Sequence, residues 1–290
     1  MSTLPVSIAK QIRQLQQGEI TEYHVYLRIA KHTKDLKNRQ ILERIAEEEK
    51  AHYLVWTRLL GTEAKPNRFH LFLFSFLSLI FGYTFAIKLM EKGEDRANKH
   101  YEEIGSIVPE AIQIAHEEEI HEQQLIGLLD EERLNYVGSM VLGLNDALVE
   151  LSGTLAGLTF ALADTRLISL SGLITGIAAS LSMAASEYLS AHAENKPDAL
   201  KSALYTGGTY IMTVALLILP YLLLSNHFLA LGIMLVVVVL VIFIFNYYLS
   251  VAKDLPFRKR FWQMVVISLS VAAISFGIGF LIKLGLGIEV

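Results

Sequence analysis

The 290-residue chain has a formal net charge of −4 and contains no cysteine. A weak acidic charge gives no electrostatic footprint for nucleic acid, so we expect no nucleic-acid partner. The absence of cysteine excludes disulfides, thiolate zinc sites, iron–sulfur clusters and rubredoxin-type iron. Charge is distributed unevenly: residues 1–135 hold 17 Lys+Arg and 21 Asp+Glu, whereas residues 136–290 hold eight of each sign. This division predicts a water-soluble domain, 1–135, followed by a membrane domain, 136–290.

Four helical patterns are predicted in the first domain. In each pattern apolar residues recur at helical spacing, and one carboxylate occupies an inward-facing position. The four carboxylates are Glu19, Glu49, Glu94 and Glu118. The second and fourth patterns add His52 and His121, each three residues after the carboxylate and therefore on the same helix face. Gly61 is predicted to end the second helix, and Pro109 to open the fourth.

An internal repeat relates the two Glu-x-x-His motifs. The sequence IAEEEKAH, residues 45–52, aligns without gaps on IAHEEEIH, residues 114–121. One Glu from each of two helices, with Glu-x-x-His from each of two others, is the inward set of di-iron carboxylate bundles. Carboxylates combined with imidazoles suit Fe²⁺ or Mn²⁺ better than a closed structural zinc site.

Some alternatives stay open in this domain. A solvated acidic helix face is the simpler interpretation of either Glu-x-x-His motif taken alone. Glu48 is an alternative to Glu49 as the inward carboxylate, and Glu117 is an alternative to Glu118. Glu22 and Glu91 lie one turn from proposed ligands, so they form either an additional metal site or surface carboxylates.

At these residues the chain resembles the ferritin-like, rubrerythrin-type di-iron family over about residues 10–130. The resemblance implies a ferritin-like four-helix bundle with an Fe²⁺/Fe³⁺ di-iron cofactor. The implied ligands are Glu19, Glu49, His52, Glu94, Glu118 and His121. The chain lacks the rubredoxin cysteines that deliver electrons in that family, which weakens the case for a peroxidase.

The segment FHLFLFSFLSLIFGYTFAI, residues 69–87, is apolar and long enough to be taken for a transmembrane helix. It lies between the second and third bundle helices, so spanning would place half of the ligands across the membrane from the rest. We therefore expect one aromatic-rich helix buried against the bundle, a partner subunit or the membrane interface.

The stretch 111–153 contains no proline and is compatible with one long helix that carries both Glu118 and Asp146. Such a helix would separate the two residues by about 42 Å. Gly127, Gly138 and Gly143 are the positions where it would bend.

Five apolar segments of about 20 residues or more follow, each long enough to span a bilayer. They lie near 136–162, 166–191, 203–224, 227–251 and 261–284. Lys196 and Lys201 fall in the second connection, and the cluster 258–260 falls in the fourth. The positive-inside rule therefore places these connections and the bundle in the cytosol and the C-terminus outside the plasma membrane.

Acidic residues within the predicted spans occur only in the first two. Asp146 and Glu150 lie one turn apart in the first span, and Glu187 lies in the second. Such groups are costly in lipid and usually functional, although an interhelical hydrogen bond would also explain them. Met183, one turn before Glu187, offers a thioether that Fe²⁺ tolerates and Mg²⁺ does not favour, unless it simply faces lipid.

The sequences DALVELSGTLAGL, from Asp146, and ITGIAASLSMAASEYLSAHAE, around Met183, resemble the first two membrane helices of the vacuolar iron transporter family. The resemblance implies that these two residues line the ion path. The family's glutamate eight residues before the methionine is Thr175 here, and the acidic insertion of plant and fungal members is missing. With the ferritin-like bundle in front, the chain resembles the bacterial membrane-bound ferritin iron exporters.

We expect a transporter that removes Fe²⁺ or Mn²⁺ from the cytosol in exchange for protons, as a homodimer in the lipid bilayer. The expected path residues are Asp146, Glu150, Met183 and Glu187. The alternative is an enzyme, a membrane-anchored di-iron oxidase or peroxide reductase. Acidic residues inside the spans favour transport because an anchor needs no charge. The residue types do not rank Fe²⁺ against Mn²⁺, and an oxidising activity of the bundle stays open.

Overall fold

The computed structural model describes residues 4–94, 104–105, 107–118, 127, 129–196 and 198–286. Within these ranges the ordered elements are helices and there is no strand, which confirms the predicted all-α class. The chain divides into two compact units, Met1–Glu131 and Glu132–Val290.

The described part of the first unit contains five helices of at least nine residues. They are α1 (Val6–His32), α2 (Leu36–Leu60), α3 (Arg68–Phe81), α4 (Tyr83–Glu94) and α5 (Pro109–Glu117). The Asp35 side chain caps α2 by accepting a hydrogen bond from the Asn38 backbone N–H at 2.7 Å. Gly61, at a left-handed φ of 63°, ends α2 as predicted. Pro109 occupies the first turn of α5, also as predicted.

The interior of this unit consists of two apolar clusters. One cluster is built by α1, α2 and α4 around Tyr26 and Leu42, and the other by α1, α2 and α5 around Ile12 and Trp56. Between them along α1 and α2 lie four buried ionisable side chains, which are Glu19, Glu22, Glu49 and His52. Burying carboxylates between apolar clusters is costly unless they are partnered or bind a cation, so this layer is the candidate site of the unit.

The apolar segment 69–87 is not one helix, contrary to the sequence prediction. Gly82 lies between α3 and α4 with φ 95° and ψ 158°, a backbone region open essentially to glycine alone. The 14 residues of α3 cover about 21 Å, which is less than the ~30 Å hydrocarbon core of a bilayer. Leu71 and Phe74 pack α3 against the cluster around Tyr26.

The stretch 111–153 is not one continuous helix either. α5 ends at Glu117, and residues 129–131 are not helical. The Asp130 backbone N–H donates to Asn38 Oδ1 at 3.1 Å, and its carbonyl accepts from Asn38 Nδ2 at 2.8 Å. The buried Glu131 carboxylate accepts from the Thr84 backbone N–H at 3.0 Å and so caps α4. These contacts hold the segment against the first turns of α2 and α4.

The substitution Gly82→Ala should lower the thermal unfolding midpoint of the purified full-length protein. The strained backbone costs about 1 to 3 kcal/mol, and the new Cβ would collide with the Glu131 carboxylate. Gly61→Ala is the matched control, because its φ is also positive but nothing lies within 4 Å of the added Cβ. Equal shifts for the two variants would show that the Glu131 cap contributes nothing.

The second unit opens with the short helix α6 (Glu132–Asn135) and continues with five long helices. They are α7 (Val137–Leu162), α8 (Thr165–Ala193), α9 (Ala199–Leu223), α10 (His227–Ala252) and α11 (Phe257–Leu286). All five are long and apolar enough to cross a membrane, which confirms the predicted five spans. Asp164 caps α8, and Asn226 caps α10.

Small residues bring these helices close together within one chain. A Cβ added to Gly153 or Gly157 would lie 3.0 or 3.1 Å from Ser275 atoms of α11. A Cβ added to Gly176 would lie 2.6 Å from Val214 of α9. These glycines therefore allow tight helix packing inside the protomer.

Candidate functional site

The polar layer of the bundle brings three predicted metal ligands together. Glu19 Oε2 lies 3.5 Å from His52 Nδ1, and Glu118 Oε1 lies 3.6 Å from the same nitrogen. Ligand atoms from Glu19, His52 and Glu118 all lie within 4.8 Å of one another. Two carboxylates and an imidazole at this spacing can contact one Fe²⁺ or Mn²⁺ ion.

Trp56 orients the first of these ligands. Its indole N–H donates to Glu19 Oε1 at 2.9 Å, and the Trp56 side chain is fully buried. The other oxygen, Oε2, is directed to His52 and accepts no hydrogen bond from the described residues. A buried carboxylate oxygen without a donor is costly, and a cation at this position would compensate for the lost hydration. The residues present therefore fit a metal ion.

The structure distinguishes the register alternatives on α2. Glu49 is only 5% exposed, whereas Glu48 accepts a hydrogen bond from Arg44 Nε at 3.2 Å on the surface. On α5 both candidates reach His52, because Glu117 Oε2 lies 3.7 Å from Nε2. The Glu117 side chain is 41% exposed and that of Glu118 is 15% exposed, so Glu118 is the more buried of the two candidate ligands.

The remaining predicted metal ligands of the first unit differ in burial and in hydrogen-bond partners. Glu22 is buried, unlike a solvated surface carboxylate. Glu91 accepts a hydrogen bond from the Tyr26 hydroxyl at 2.7 Å, a partner that helical periodicity did not identify. The side chain of Glu94 and the whole of His121 lie outside the described residues, so their assignment stays a prediction.

In the second unit, a polar group lies midway along α7. The Asp146 and Glu150 carboxyl groups lie close enough to interact electrostatically, and Glu150 Oε2 accepts from the Tyr210 hydroxyl at 3.0 Å. Tyr210 belongs to α9 and is fully buried. Asp146 is half-buried, whereas Glu150 is exposed on the outside of the single chain. An acidic side chain facing lipid at this depth is unfavourable, so this face of α7 requires a covering group.

A second polar group surrounds Glu187 near one end of the spans. The Ser139 hydroxyl of α7 donates to Glu187 Oε1 at 3.0 Å, and the Ser202 hydroxyl of α9 donates to the same oxygen. The two hydroxyls lie 2.7 Å apart. One carboxylate oxygen of α8 therefore connects three helices. Neither serine is recognisable from the sequence, because serine is common in membrane helices and carries no signal by itself.

The two polar groups lie at different depths on one face of α7. Ser139, Asp146 and Glu150 are separated by seven and four residues, which keeps them on a common helix face. At 1.5 Å per residue, the carboxylates lie about 10 and 16 Å from Ser139 along the axis. Met183 lies one turn from Glu187 and packs against the apolar core of the unit. Thr175 is half-buried on the same helix.

Charged groups surround the connection between α8 and α9. The Lys196 ammonium lies 2.6 Å from Glu194 and lowers the pKa of that carboxylate. The Lys201 ammonium lies 2.7 Å from Glu132. Burial, followed by the negative charge of Asp198, raises the pKa of the Tyr136 hydroxyl. This end of the spans therefore presents paired, hydrated charges beside the Glu187 group.

A family model described as the VIT family matches residues 137–199 and 192–280, just under half of the chain. No curated protein matches the chain. The matched region runs from the start of α7 into α11 and contains both polar groups of the spans. The match supports the vacuolar iron transporter family for the C-terminal membrane region and suggests a membrane metal-ion transporter; with the five apolar helices it points to a multi-pass membrane protein.

Proposed function

We propose that the protein exports Fe²⁺, or Mn²⁺ by the same path, from the cytosol across the plasma membrane in exchange for protons. The observation that carries this proposal is the pair Asp146 and Glu150 in contact midway along α7, inside the region that matches the VIT family. A helix that only anchored an enzyme would need no acidic residues at this depth. The residues therefore favour transport over an anchored oxidase.

The two polar groups suggest an order of events. The positive-inside rule assigns the connection carrying Lys196 and Lys201 to the cytosol, so Glu187 is the first carboxylate within the spans that a cytosolic cation meets. Asp146 and Glu150 come next along α7. Two carboxyl groups in contact hold a proton between them in a low-dielectric medium. An arriving divalent cation displaces that proton, and this exchange couples metal movement to proton movement.

The exposure of Glu150 favours a homodimer. In a single chain this side chain would face lipid, at a cost of roughly 2.5 to 3.5 kcal/mol on insertion scales. A second copy packed against α7 and α8 would cover it and would place two carboxylate pairs along one path. The dimer axis would then run beside the ion path.

We assign the bundle a collecting role on the cytosolic side. Glu19, His52 and Glu118 would hold the metal, together with the buried Glu49 and with Glu94 and His121 on the family resemblance. A di-iron centre bound there supplies Fe²⁺/Fe³⁺ redox chemistry. Trp56 holds the Glu19 carboxylate in orientation, and the two apolar clusters exclude water from the layer.

Transport by the full-length protein in sealed proteoliposomes tests the proposal. We expect Fe²⁺ uptake into vesicles to depend on an imposed pH gradient and to be accompanied by proton movement in the opposite direction. An Fe²⁺ uptake rate that is the same with and without the pH gradient would contradict proton antiport. A complete absence of flux from correctly folded protein would contradict transport and favour the anchored oxidase.

Removing the hydroxyl donors around Glu187 should slow transport. Each hydrogen bond to a charged group is worth about 1.5 to 3 kcal/mol, so we expect Ser202→Ala to reduce the initial rate about tenfold. Ser180→Ala is the matched control, because its hydroxyl also joins α8 to α9, donating to the Gly207 carbonyl at 3.0 Å without touching a carboxylate. Equal losses in both variants would indicate a packing effect only.

A further inference from the structure

One face of α3 is unusually apolar for a helix on a soluble bundle. Phe69, Phe72 and Leu79 are 67%, 64% and 65% exposed, and Phe76 and Ile80 are 47% and 50% exposed. At 100° per residue these five side chains fall within a sector of about 100°. Leu71 and Phe74, on the opposite side, pack against the bundle core. The helix is therefore apolar on both sides, and only one side is covered by its own unit.

The chain segment that carries this face is poor in acidic residues. Residues 64–90 contain no Asp or Glu, but they contain Lys65, Arg68 and Lys88. Arg68 and Lys65 are exposed at the N-terminal end of α3, and Arg68 precedes Phe72 by one helical turn on the same face. Basic residues beside an aromatic stripe are typical of helices that lie in the interface of an anionic bilayer.

We propose that the exposed face of α3, formed by Phe69, Phe72, Phe76, Leu79 and Ile80, inserts into the cytosolic leaflet of the membrane that the same chain spans. The helix is too short to cross the bilayer, so it lies in the interface plane. Its basic end contacts anionic lipid headgroups. The bundle would thereby be held at the membrane surface by a second contact in addition to the chain connection.

A lipid surface fits this face better than a second copy of the bundle does. The five spans keep every bundle tethered to a bilayer, so the lipid surface is present at high effective concentration whatever the protein concentration. Two copies of this face packed in parallel would bring Arg68 and Lys65 of one close to those of the other, which is repulsive, and two copies packed antiparallel would leave these basic ends without an acidic partner on the facing α3. An anionic leaflet neutralises the same residues.

Spin labelling of the full-length protein in phosphatidylcholine–phosphatidylglycerol vesicles tests the proposal. The chain has no cysteine, so single cysteines can be labelled without background. Phe72→Cys and Phe76→Cys probe the face. Glu47→Cys, on the exposed surface of α2, is the aqueous control, and Val236→Cys, 66% exposed on the span α10, is the lipid control. Collision rates with oxygen and with a water-soluble nickel complex are measured at each site.

We expect both α3 labels to collide with oxygen more than with the nickel complex, as at position 236, at a depth of about 5 to 10 Å. Position 47 should show the reverse order. Nickel accessibility at positions 72 and 76 equal to that at 47 would overturn the proposal in favour of a solvent-exposed face. Low accessibility to both reagents would overturn it in favour of a protein contact. Neither outcome depends on transport, so the test is independent of the proposed function.

Discussion

We expect the substitution Asp146→Asn to reduce metal transport in proteoliposomes to background and to abolish its dependence on the pH gradient. Asparagine keeps the size and shape of the side chain but can neither carry a negative charge nor release a proton. A charge at this depth costs roughly 2.5 to 3.5 kcal/mol, so the variant should insert at least as well as the parent. Its loss of function would therefore be a loss of chemistry.

Asp164→Asn is the matched control for this experiment. Asp164 caps α8 by accepting from the Arg166 and Leu167 backbone N–H groups at 2.7 and 3.1 Å, and asparagine is an equally good cap. The control makes the same chemical change outside the proposed path and should transport normally. Parent-like transport by Asp146→Asn would refute the path and would favour the anchored oxidase.

Helical periodicity predicted most of the architecture, because a helix that buries one face has apolar residues at regular helical spacing in its sequence. The five spans, the end of α2 at Gly61 and the start of α5 at Pro109 all follow from local signals. The same logic identified Glu19 and His52, because a polar residue in an apolar register is visible without knowing its partner.

The breaks between helices were not predictable in the same way. The start of α4 depends on Glu131, which lies 47 residues from the Thr84 N–H that it caps. Residues 129–131 leave the helical conformation because Asn38 binds the Asp130 backbone. Interactions at such sequence separation leave no periodic signal, so the sequence favours one helix for the apolar run 69–87 and is compatible with one helix for the stretch 111–153.

The polar partners inside the spans were missed for a related reason. The Tyr210 hydroxyl donates a hydrogen bond to Glu150, which lies 60 residues earlier in the sequence. The Ser202 hydroxyl donates a hydrogen bond to Glu187 from the next helix. Tyrosine and serine are ordinary residues of membrane helices, and only the packing of α7, α8 and α9 gives them a partner. The acidic residues were found because carboxylates are rare in lipid, whereas the groups that position them are not.

The second large effect is expected in the bundle. The experiment uses the Asp146→Asn variant, in which the membrane path is inactive. Adding Glu49→Gln together with Glu118→Gln should weaken Fe²⁺ binding by more than about 100-fold. This loss exceeds the usual effect of substitutions outside the ligand shell. Glutamine fills the same space but lacks the negative charge that attracts the cation. Equilibrium Fe²⁺ binding by the full-length protein measures the loss.

Thermal unfolding separates this loss from damage to the fold. Glu19, Glu49 and Glu118 contribute like charges to one buried layer, so neutralising two of them relieves repulsion in the metal-free protein. The metal-free variant should therefore unfold at or above the parental temperature. Saturating metal, at about 1,000 times Kd, should stabilise the parent by ~4 kcal/mol and the variant hardly at all.

Glu47→Gln with Glu48→Gln is the control, because both lie on the surface of α2. Parental metal binding by Glu49→Gln with Glu118→Gln would refute a metal site in this layer, whatever its effect on unfolding.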